Sequence, residues 1–287
     1  MASVGIDKMQ LQRLELKYKI TEGLALRLRD FVRSYLELDE YGVGKPNLCY
    51  PVHSLYLDSD DLRLYWDTIN GNKNRFKLRL RYYNEDPDSP VFFEIKRRMN
   101  SCIMKQRGGV RRSAVEGLLS GMLPSPEHLI SDNPKYLVAL QNFCQRMMTL
   151  RATPKAHIAY LREAWVSHND NSVRVTFDRE VRCSKEYSAD LKVSMQDPVM
   201  VFGPEVILEV KFTNRFPLWL EDMIRHFGLN ITGAAKYVEG VALVGEERFN
   251  QPAYHLPQVV PVPLVEEEPA SLPLELMAKF RELQRIS

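Results

Sequence analysis

The sequence predicts an α+β fold: an antiparallel sheet curled into a β-barrel tunnel, with helices packed outside. Three observations predict it. Many segments alternate apolar and polar residues with period two, as half-buried strands do. The few helical patterns between them do not alternate regularly with strands, which argues for an antiparallel sheet rather than βαβ units. The polar side of strand after strand carries Arg, Lys and Glu, where a solvated face usually carries Thr, Ser and mixed polar residues.

In chain order, RLELKYKI (13–20) alternates first and sets Arg13, Glu15 and Lys17 on one face. Thr21 is a suitable N-cap. Leu24, Leu28, Phe31, Tyr35 and Leu38 follow at helical spacing, so a helix is expected over 21–38. VHSLYLDS (52–59), RFKLRLRYY (75–83) and VFFEIKRR (91–98) are three further strands. The second of these puts Lys77, Arg79 and Arg81 on one face and Phe76, Leu78, Leu80 and Tyr82 on the other. The third lines up Glu94, Lys96 and Arg98. CIMKQR (102–107) is a weaker strand, and RGGVRR (107–112) reads as a turn. Residues 126–148 read as a helix broken near Pro134, and AYLREAW (159–165) as another weak strand. VRVTFDREVR (173–182) sets Arg174, Thr176, Asp178, Glu180 and Arg182 on one face, and VILEVKF (206–212) sets Glu209 and Lys211. A helix over 217–227 starts with Pro217 and stops before Gly228.

Near residue 246 the character changes, which divides the chain into a tunnel domain (1–245) and an extension (246–287). QPAYHLPQVVPVPLVEEEP is Pro-rich and reads as extended. LELMAKFRELQRI reads as a short amphipathic helix with Leu276, Phe280 and Leu283 on one side. That face suits docking on its own domain or on a protein partner.

Composition excludes several classes. The 287 residues are 45% hydrophobic and 26% charged, ordinary for a globular chain. Net charge is only +2, so any basic site has to come from local arrangement. Cys49, Cys102, Cys144 and Cys183 form no CxxC pair, which argues against thiolate metal sites and disulfide frameworks. There is no apolar signal core and no run of about 18 apolar residues. A cytoplasmic location is expected, with any membrane contact supplied by a partner. No GxxxxGK[ST], HExxH or GxSxG motif occurs, and the six histidines are scattered. Basic-aromatic strands such as LRLRYY lack an RNA-recognition signature, so nucleic acid is not the expected partner.

One charged strand face is ordinary for a sheet with a solvated side. Five such faces, with Glu15–Lys17, Glu94–Lys96 and Glu209–Lys211 repeating the order carboxylate, one residue, lysine, point elsewhere. Curling the sheet puts one face of every strand inside. A lumen rich in Arg and Lys is costly unless an anion occupies it. A phosphate chain meets that demand, and the Arg fork bonds two phosphate oxygens at once. Carboxylates in such a lumen would repel phosphate unless a divalent cation lay between, and hard oxygen donors suit Mg2+ or Mn2+. Glu209, in the middle of an apolar strand, is the first candidate; a structural salt bridge is its alternative.

At these residues the sequence resembles the VTC (vacuolar transporter chaperone) polyphosphate polymerase domain, of the triphosphate tunnel (CYTH-like) superfamily. The stretches that carry the resemblance are RLELKYKI, SLYLDSDDLRLYWDTINGNKNRFKLRLRYY, FFEIKRR, VRVTFDRE, ILEVKF and AAKYVEG, in order across about residues 11–245. The resemblance implies an antiparallel tunnel barrel, open at both ends, that elongates polyphosphate from ATP with Mn2+ or Mg2+. Carried over by position, phosphate would be held by Lys17, Arg79, Arg81, Lys96, Arg162, Arg174 and Lys236, with Lys105 or Arg107 filling one more basic position and Lys211 beside them. Arg79, Arg81, Arg174 and Lys96 would stabilise the transferred group. Glu209, with Glu15, would hold the metal.

Three departures stand out. Superfamily triphosphatases begin ExExK; Arg13 leaves RxExK here, as in the polymerase branch. Gly233 and Ala235 stand where eukaryotic polymerases carry a Lys and a Ser. No counterpart of their SPX sensor or membrane spans is expected. The leading expectation is therefore ATP-dependent polyphosphate synthesis. A metal-dependent tri- or polyphosphatase and a non-catalytic polyphosphate-binding module are the alternatives.

Overall fold

The computed structural model describes residues 13–100, 102–168, 172–213 and 216–249. The Pro-rich extension and its short helix lie, from residue 250 on, outside the described residues. The chain opens with β1 (Arg13–Ile20), α1 (Glu22–Val32), β2 (Glu37–Leu38), β3 (Tyr50–Asp58) and α2 (Arg63–Ile69). Then come β4 (Asn74–Tyr82), β5 (Val91–Met99), β6 (Cys102–Val110), α3 (Val115–Leu119) and α4 (Pro134–Leu150). β7 (Thr153–Val166), β8 (Val173–Lys185), β9 (Val199–Met200), β10 (Val206–Thr213), α5 (Leu218–His226) and α6 (Lys236–Val244) complete it.

The strands form one antiparallel sheet in the order β1-β10-β8-β7-β3-β4-β5-β6, with β2 beside β7 and β9 beside β8. Among the described residues no backbone ladder joins the two end strands. The sheet is instead curled until side chains meet across the seam: Lys96 Nζ of β5, next to the end strand β6, lies 3.0 and 2.9 Å from the carboxylate oxygens of Glu15 on β1. It is a curled tunnel that ions close, not a hydrogen-bonded barrel.

Three apolar clusters fix the curl. Leu28 and Val32 of α1 and Leu220 and Met223 of α5 pack on Tyr18, Val175, Phe177, Leu208 and Val210, the outer face of β1, β8 and β10. Leu140, Phe143 and Met147 of α4 cover Leu78, Leu80, Phe93 and Ile95 of β4 and β5. Each such fully buried side chain contributes roughly 1.5–3 kcal/mol. The third cluster is different. Tyr237, Val238 and Val241 of α6 pack with Tyr56, Ile158, Tyr160, Val181, Cys183 and Ile207, which belong to the inward face. A bulge in β8 at Glu180 (φ 50°) turns Val181 and Cys183 inward beside Ile158. Gly240 lets α6 come that close, because a Cβ there would lie 2.8 Å from Cys183 Cβ. The end of the lumen flanked by the close of β3 and the start of β7 is thus filled by α6, whereas the resemblance implied openness at both ends.

Other expectations are adjusted. The first helix has its Thr21 cap, whose Oγ1 accepts from Leu24 N at 3.3 Å. It stops at Val32 rather than 38, because Glu37 and Leu38 pair with Val166 and Trp165 as β2. Pro134 does not break a helix; it occupies the first turn of α4, capped by Asn133. The expected turn at RGGVRR is strand up to Val110. Gly108 and Gly109 are needed there because Tyr136 O and Ile130 cross the strand, 3.0 and 2.6 Å from where Cβ atoms would sit. Cys49, Cys144 and Cys183 are free and buried, and burial pushes the thiols of Cys144 and Cys183 up to about 12.

Candidate active site

Strand register builds the site. Glu15 and Lys17 of β1 face Lys211 and Glu209 of β10. Glu209 and Lys211 face Thr176 and Arg174 of β8, and Asp178 faces Arg162 of β7. Arg162 faces Tyr50 of β3, whose Ser54 and Tyr56 face Arg81 and Arg79 of β4. Arg79 and Lys77 face Glu94 and Lys96 of β5, which face Arg107 and Lys105 of β6. Period-two alternation carries this one row of polar side chains through all eight long strands. Lys236 joins it from the first turn of α6.

The cations gather around buried carboxylates. Glu94, fully buried, takes Arg79 at 2.7 Å, Lys105 at 2.7 Å and Arg107 at 3.5 Å. Lys105 and Arg107, the two candidates for one further basic position, therefore both reach the same carboxylate. Asp178, also fully buried, takes Arg162 at 2.7 and 2.8 Å and Lys236 at 2.7 Å. Glu15 takes Lys96 at 2.9 Å and Lys17 at 3.1 Å. Glu209 has Lys211 at 3.0 Å, Arg162 at 3.6 Å and Lys17 at 3.9 Å, so the salt-bridge alternative for Glu209 is realised in this structure. Asp39 holds Arg174 at 2.7 Å, and Arg174 also donates to Tyr50 OH at 3.3 Å.

Burial pushes the Glu94 and Glu209 carboxyls up, but the surrounding cations outweigh it and hold both well below the usual range. Burial and the nearby Glu209 raise Glu15, and Lys96 and Lys17 again prevail. All three are ionised near neutral pH. The lysines show the reverse stress. Burial first, then neighbouring Lys17 and Lys96, bring Lys77 down to about 7. Burial also brings Lys105 to about 7 and Lys211 to about 8, although Glu94 and Glu209 pull the other way. Cations outnumber carboxylates in this space, and the deficit surfaces as depressed lysines.

Some polar atoms lack partners altogether. Arg81 is 7% exposed; it donates to Tyr160 OH at 3.0 Å and Ser54 Oγ at 3.4 Å, but its Nε has no hydrogen bond. Thr176 Oγ1 is buried and unbonded too, and Arg107 Nε makes no hydrogen bond, only its 3.5 Å ion pair with Glu94. All three lie on the inward face. A buried unpaired donor costs about 1–3 kcal/mol, and an anion in the lumen relieves that cost.

The residues carried over as phosphate and metal positions thus share this one inward surface, whereas Glu180 and Arg182, expected on the same face of 173–182, are turned to the exposed side by the bulge in β8. Sequence reading saw Glu94 and Asp178 on charged faces without recognising them as the hubs of cation clusters. It passed over Lys77 as a site residue and over Asp39, Tyr50, Tyr56 and Tyr160, whose carboxylate and hydroxyls orient the arginines; Arg79 donates to Tyr56 OH at 3.0 Å. The signal for the tyrosines was their even spacing along β3 and β7, in step with Arg162.

Residues 12–245 match the VTC domain. The chain belongs to the VTC domain family. The matched span runs from β1 through α6 and so contains every side chain of the inward row. Two curated relatives carry the same name. Subunit 2 of the vacuolar transporter chaperone complex of Schizosaccharomyces pombe is 23% identical over 226 residues, 67% of this chain and 31% of that protein. Subunit 4 from the same yeast is 22% identical over 294 residues, 90% of this chain and 41% of that protein. The chain spans less than half the length of either. Among solved structures, a Bacillus halodurans protein described as a candidate adenylate cyclase aligns at 12% identity over 78% of this chain and 94% of its own, with a TM-score of 0.43. The PH1819 protein of Pyrococcus horikoshii aligns at 13% identity over 81% and 99%, with a TM-score of 0.40. The VTC fold described above rests on the strand order and register themselves. Where this VTC domain has Ala235 at the start of α6, the backbone N–H is held by Glu239 at 2.8 Å, and Lys17 Nζ donates to Ala234 O at 3.2 Å.

Proposed function

We propose that this domain synthesises inorganic polyphosphate from ATP in its cationic lumen. A terminal oxygen of the chain, or of orthophosphate, attacks the γ-phosphorus of ATP. The bond from that phosphorus to the β,γ-bridging oxygen breaks, ADP leaves, and the chain is one phosphate longer. The transition state spreads negative charge over the transferred group, and positioned cations are the main catalytic resource for such transfers. In this reading Arg79, Arg81, Arg174 and Lys96 stabilise that charge. Lys17, Lys105, Arg107, Arg162, Lys211 and Lys236 hold donor and chain. One observation carries the proposal: the inward face holds more cations than carboxylates and keeps buried donors, Arg81 Nε above all, without a partner.

The donor set fits a divalent cation. Glu209 lies close enough to push the Glu15 carboxyl up, and a hydrogen bond with Glu15 helps hold Glu209 down, yet both are ionised; Mg2+ or Mn2+ needs only one or two carboxylates when phosphate oxygens and water complete its shell. When bound, the ion would neutralise charge on the phosphates. Lys17, Lys96 and Lys211, which now hold these carboxylates, would then be freed to face phosphate oxygens. Among the described residues no group of three or more His, Cys, Asp or Glu side chains is placed to hold an ion; in this reading substrate oxygens would supply part of the shell. Assembly with other protein subunits belongs to the same proposal, by analogy with the named relatives.

Hydrolysis of short phosphate chains is a second reading, favoured by α6, which fills the end of the lumen through which a long product would otherwise thread. Incubation with ATP and Mn2+ separates the two. Chain products that resolve as a ladder on a polyacrylamide gel, abolished by Glu209→Ala, are expected; release of orthophosphate alone would establish the hydrolase instead.

A further inference from the structure

Beyond the phosphate clusters, the same surface carries aromatic rings that no phosphate requires. Tyr41 sits on the turn Glu40–Gly42 that follows β2 and is 64% exposed. Its ring is parallel to that of Tyr83 within 5°, with centroids 6.4 Å apart. Tyr50 is tilted to both, at 5.7 Å from Tyr41 and 6.4 Å from Tyr83. The three centroids thus form a nearly equilateral triangle, and Tyr50 stands beside the gap between the parallel rings instead of in it. A flat ring in van der Waals contact with both parallel faces needs about 7 Å between them, twice the usual carbon–carbon separation, so the exposed Tyr41 ring has to move outward by at least about half an ångström from its 6.4 Å distance to admit one. Phe92 continues the aromatic edge beyond Tyr83, and Arg107 lies over the Phe92 ring at 3.4 Å.

The rings are tied to the phosphate-facing cations. Asp39 is buried and uses its two oxygens differently. Oδ1 accepts from Tyr41 N at 3.1 Å and fixes the turn that carries the exposed ring. Oδ2 binds Arg174 at 2.7 Å. Arg174 in turn donates to Tyr50 OH, the wall of the gap. One carboxylate therefore sets the distance between an aromatic slot and a guanidinium of the inward row.

We propose that Tyr41 and Tyr83, backed by Tyr50, hold the nucleobase of the nucleoside triphosphate whose phosphates enter the lumen past Arg174. What the slot offers is π-faces, so it grips a base by stacking and discriminates little among bases. The inference rests on the reading of the lumen as a triphosphate site, and adds where the nucleoside lies.

The test compares two ligands on the full chain, without divalent metal: inorganic tripolyphosphate, which has no base, and adenosine 5′-(β,γ-imido)triphosphate, which has one and does not transfer its terminal phosphate. Titration calorimetry of Tyr41→Ala is expected to show a roughly tenfold weaker Kd for the nucleotide, the lower part of the range for losing one base–aromatic stack, with the Kd for tripolyphosphate unchanged. Tyr41→Trp should bind the nucleotide at least as well as wild type. Equal effects on both ligands, or no effect on the nucleotide, overturns the slot alone. Failure of the wild-type chain to bind either ligand overturns the triphosphate reading and the slot with it.

Discussion

Glu94 is where the logic of single residues is plainest. It is a fully buried carboxylate shared by Arg79, Lys105 and Arg107, and no apolar contact would replace it. Glu94→Gln keeps the shape and removes the charge, which leaves Arg79 in the lumen without its carboxylate. Breaking a buried pair costs up to about 3–5 kcal/mol, and an open lumen lowers that figure. The variant should melt below wild type, and saturating tripolyphosphate should raise its Tm by more than it raises the wild-type Tm, because the anion replaces the missing charge. Equal ligand-induced shifts would show that phosphate does not reach this cluster.

The depressed lysines give a second expectation at the same scale. Burial brings Lys77 and Lys105 down to about 7 and Lys211 to about 8, against an ordinary value of 10.5. Between about 7 and 10.5 the unfolded chain holds protons that the native state has released. Stability contributed by these groups therefore rises with pH through that window, and below it their buried charge is a burden. A bound polyanion favours the charged forms. Binding should then take up protons, and polyphosphate affinity should fall as pH rises from 6.5 to 9. Calorimetry in buffers of different ionisation enthalpy reads the proton count directly; uptake of none at pH 8 would refute the coupling.

At the scale of elements, α6 decides most. Gly240→Val would drive a branched side chain into Cys183 and Ile158, which already approach the Cβ position to 2.8 and 3.2 Å. Overpacking of this kind costs about 1–3 kcal/mol. It also lifts Lys236 away from Asp178, so polyphosphate binding should weaken along with the denaturation midpoint; a midpoint equal to wild type would mean α6 is not seated on the inward face. This helix escaped sequence reading for a physical reason. KYVEGVALV carries apolar residues on its exposed side as well, Ala242 and the 56% exposed Leu243, so it lacks a clean amphipathic stripe. β7 shows the matching effect. Its first half is apolar on the inward side that meets α6, at Ala156 and Ile158, and buries Lys155 and His157 elsewhere, so the apolar-out, charged-in pattern of the other strands fades there. β1, β4, β5, β8 and β10 were legible because one face meets helices and the other meets charge. β6 was half legible: its glycines are strand residues made necessary by Tyr136 and Ile130, and from sequence alone two adjacent glycines signal a turn.

For the whole molecule, strand alternation reveals which residues share the inward face, because that follows from parity alone. Which cation meets which carboxylate depends on register across strands distant in sequence, as with Arg162 and Asp178 or Lys96 and Glu15, and no local pattern encodes it. The closure is also a whole-molecule property: β1 and β6 share no ladder, and an ion pair from β5 to β1 spans the seam. The helices of the described residues include none long and apolar enough to cross a membrane. Everything proposed about chemistry depends on the inward face being a phosphate site. A crystal structure of the chain with tripolyphosphate tests that most directly. Phosphate density is predicted on the inward face, within hydrogen-bond distance of Arg79, Arg81 and Arg174, with Arg81 Nε satisfied. An empty lumen, with tripolyphosphate bound only on the outer surface, would contradict it.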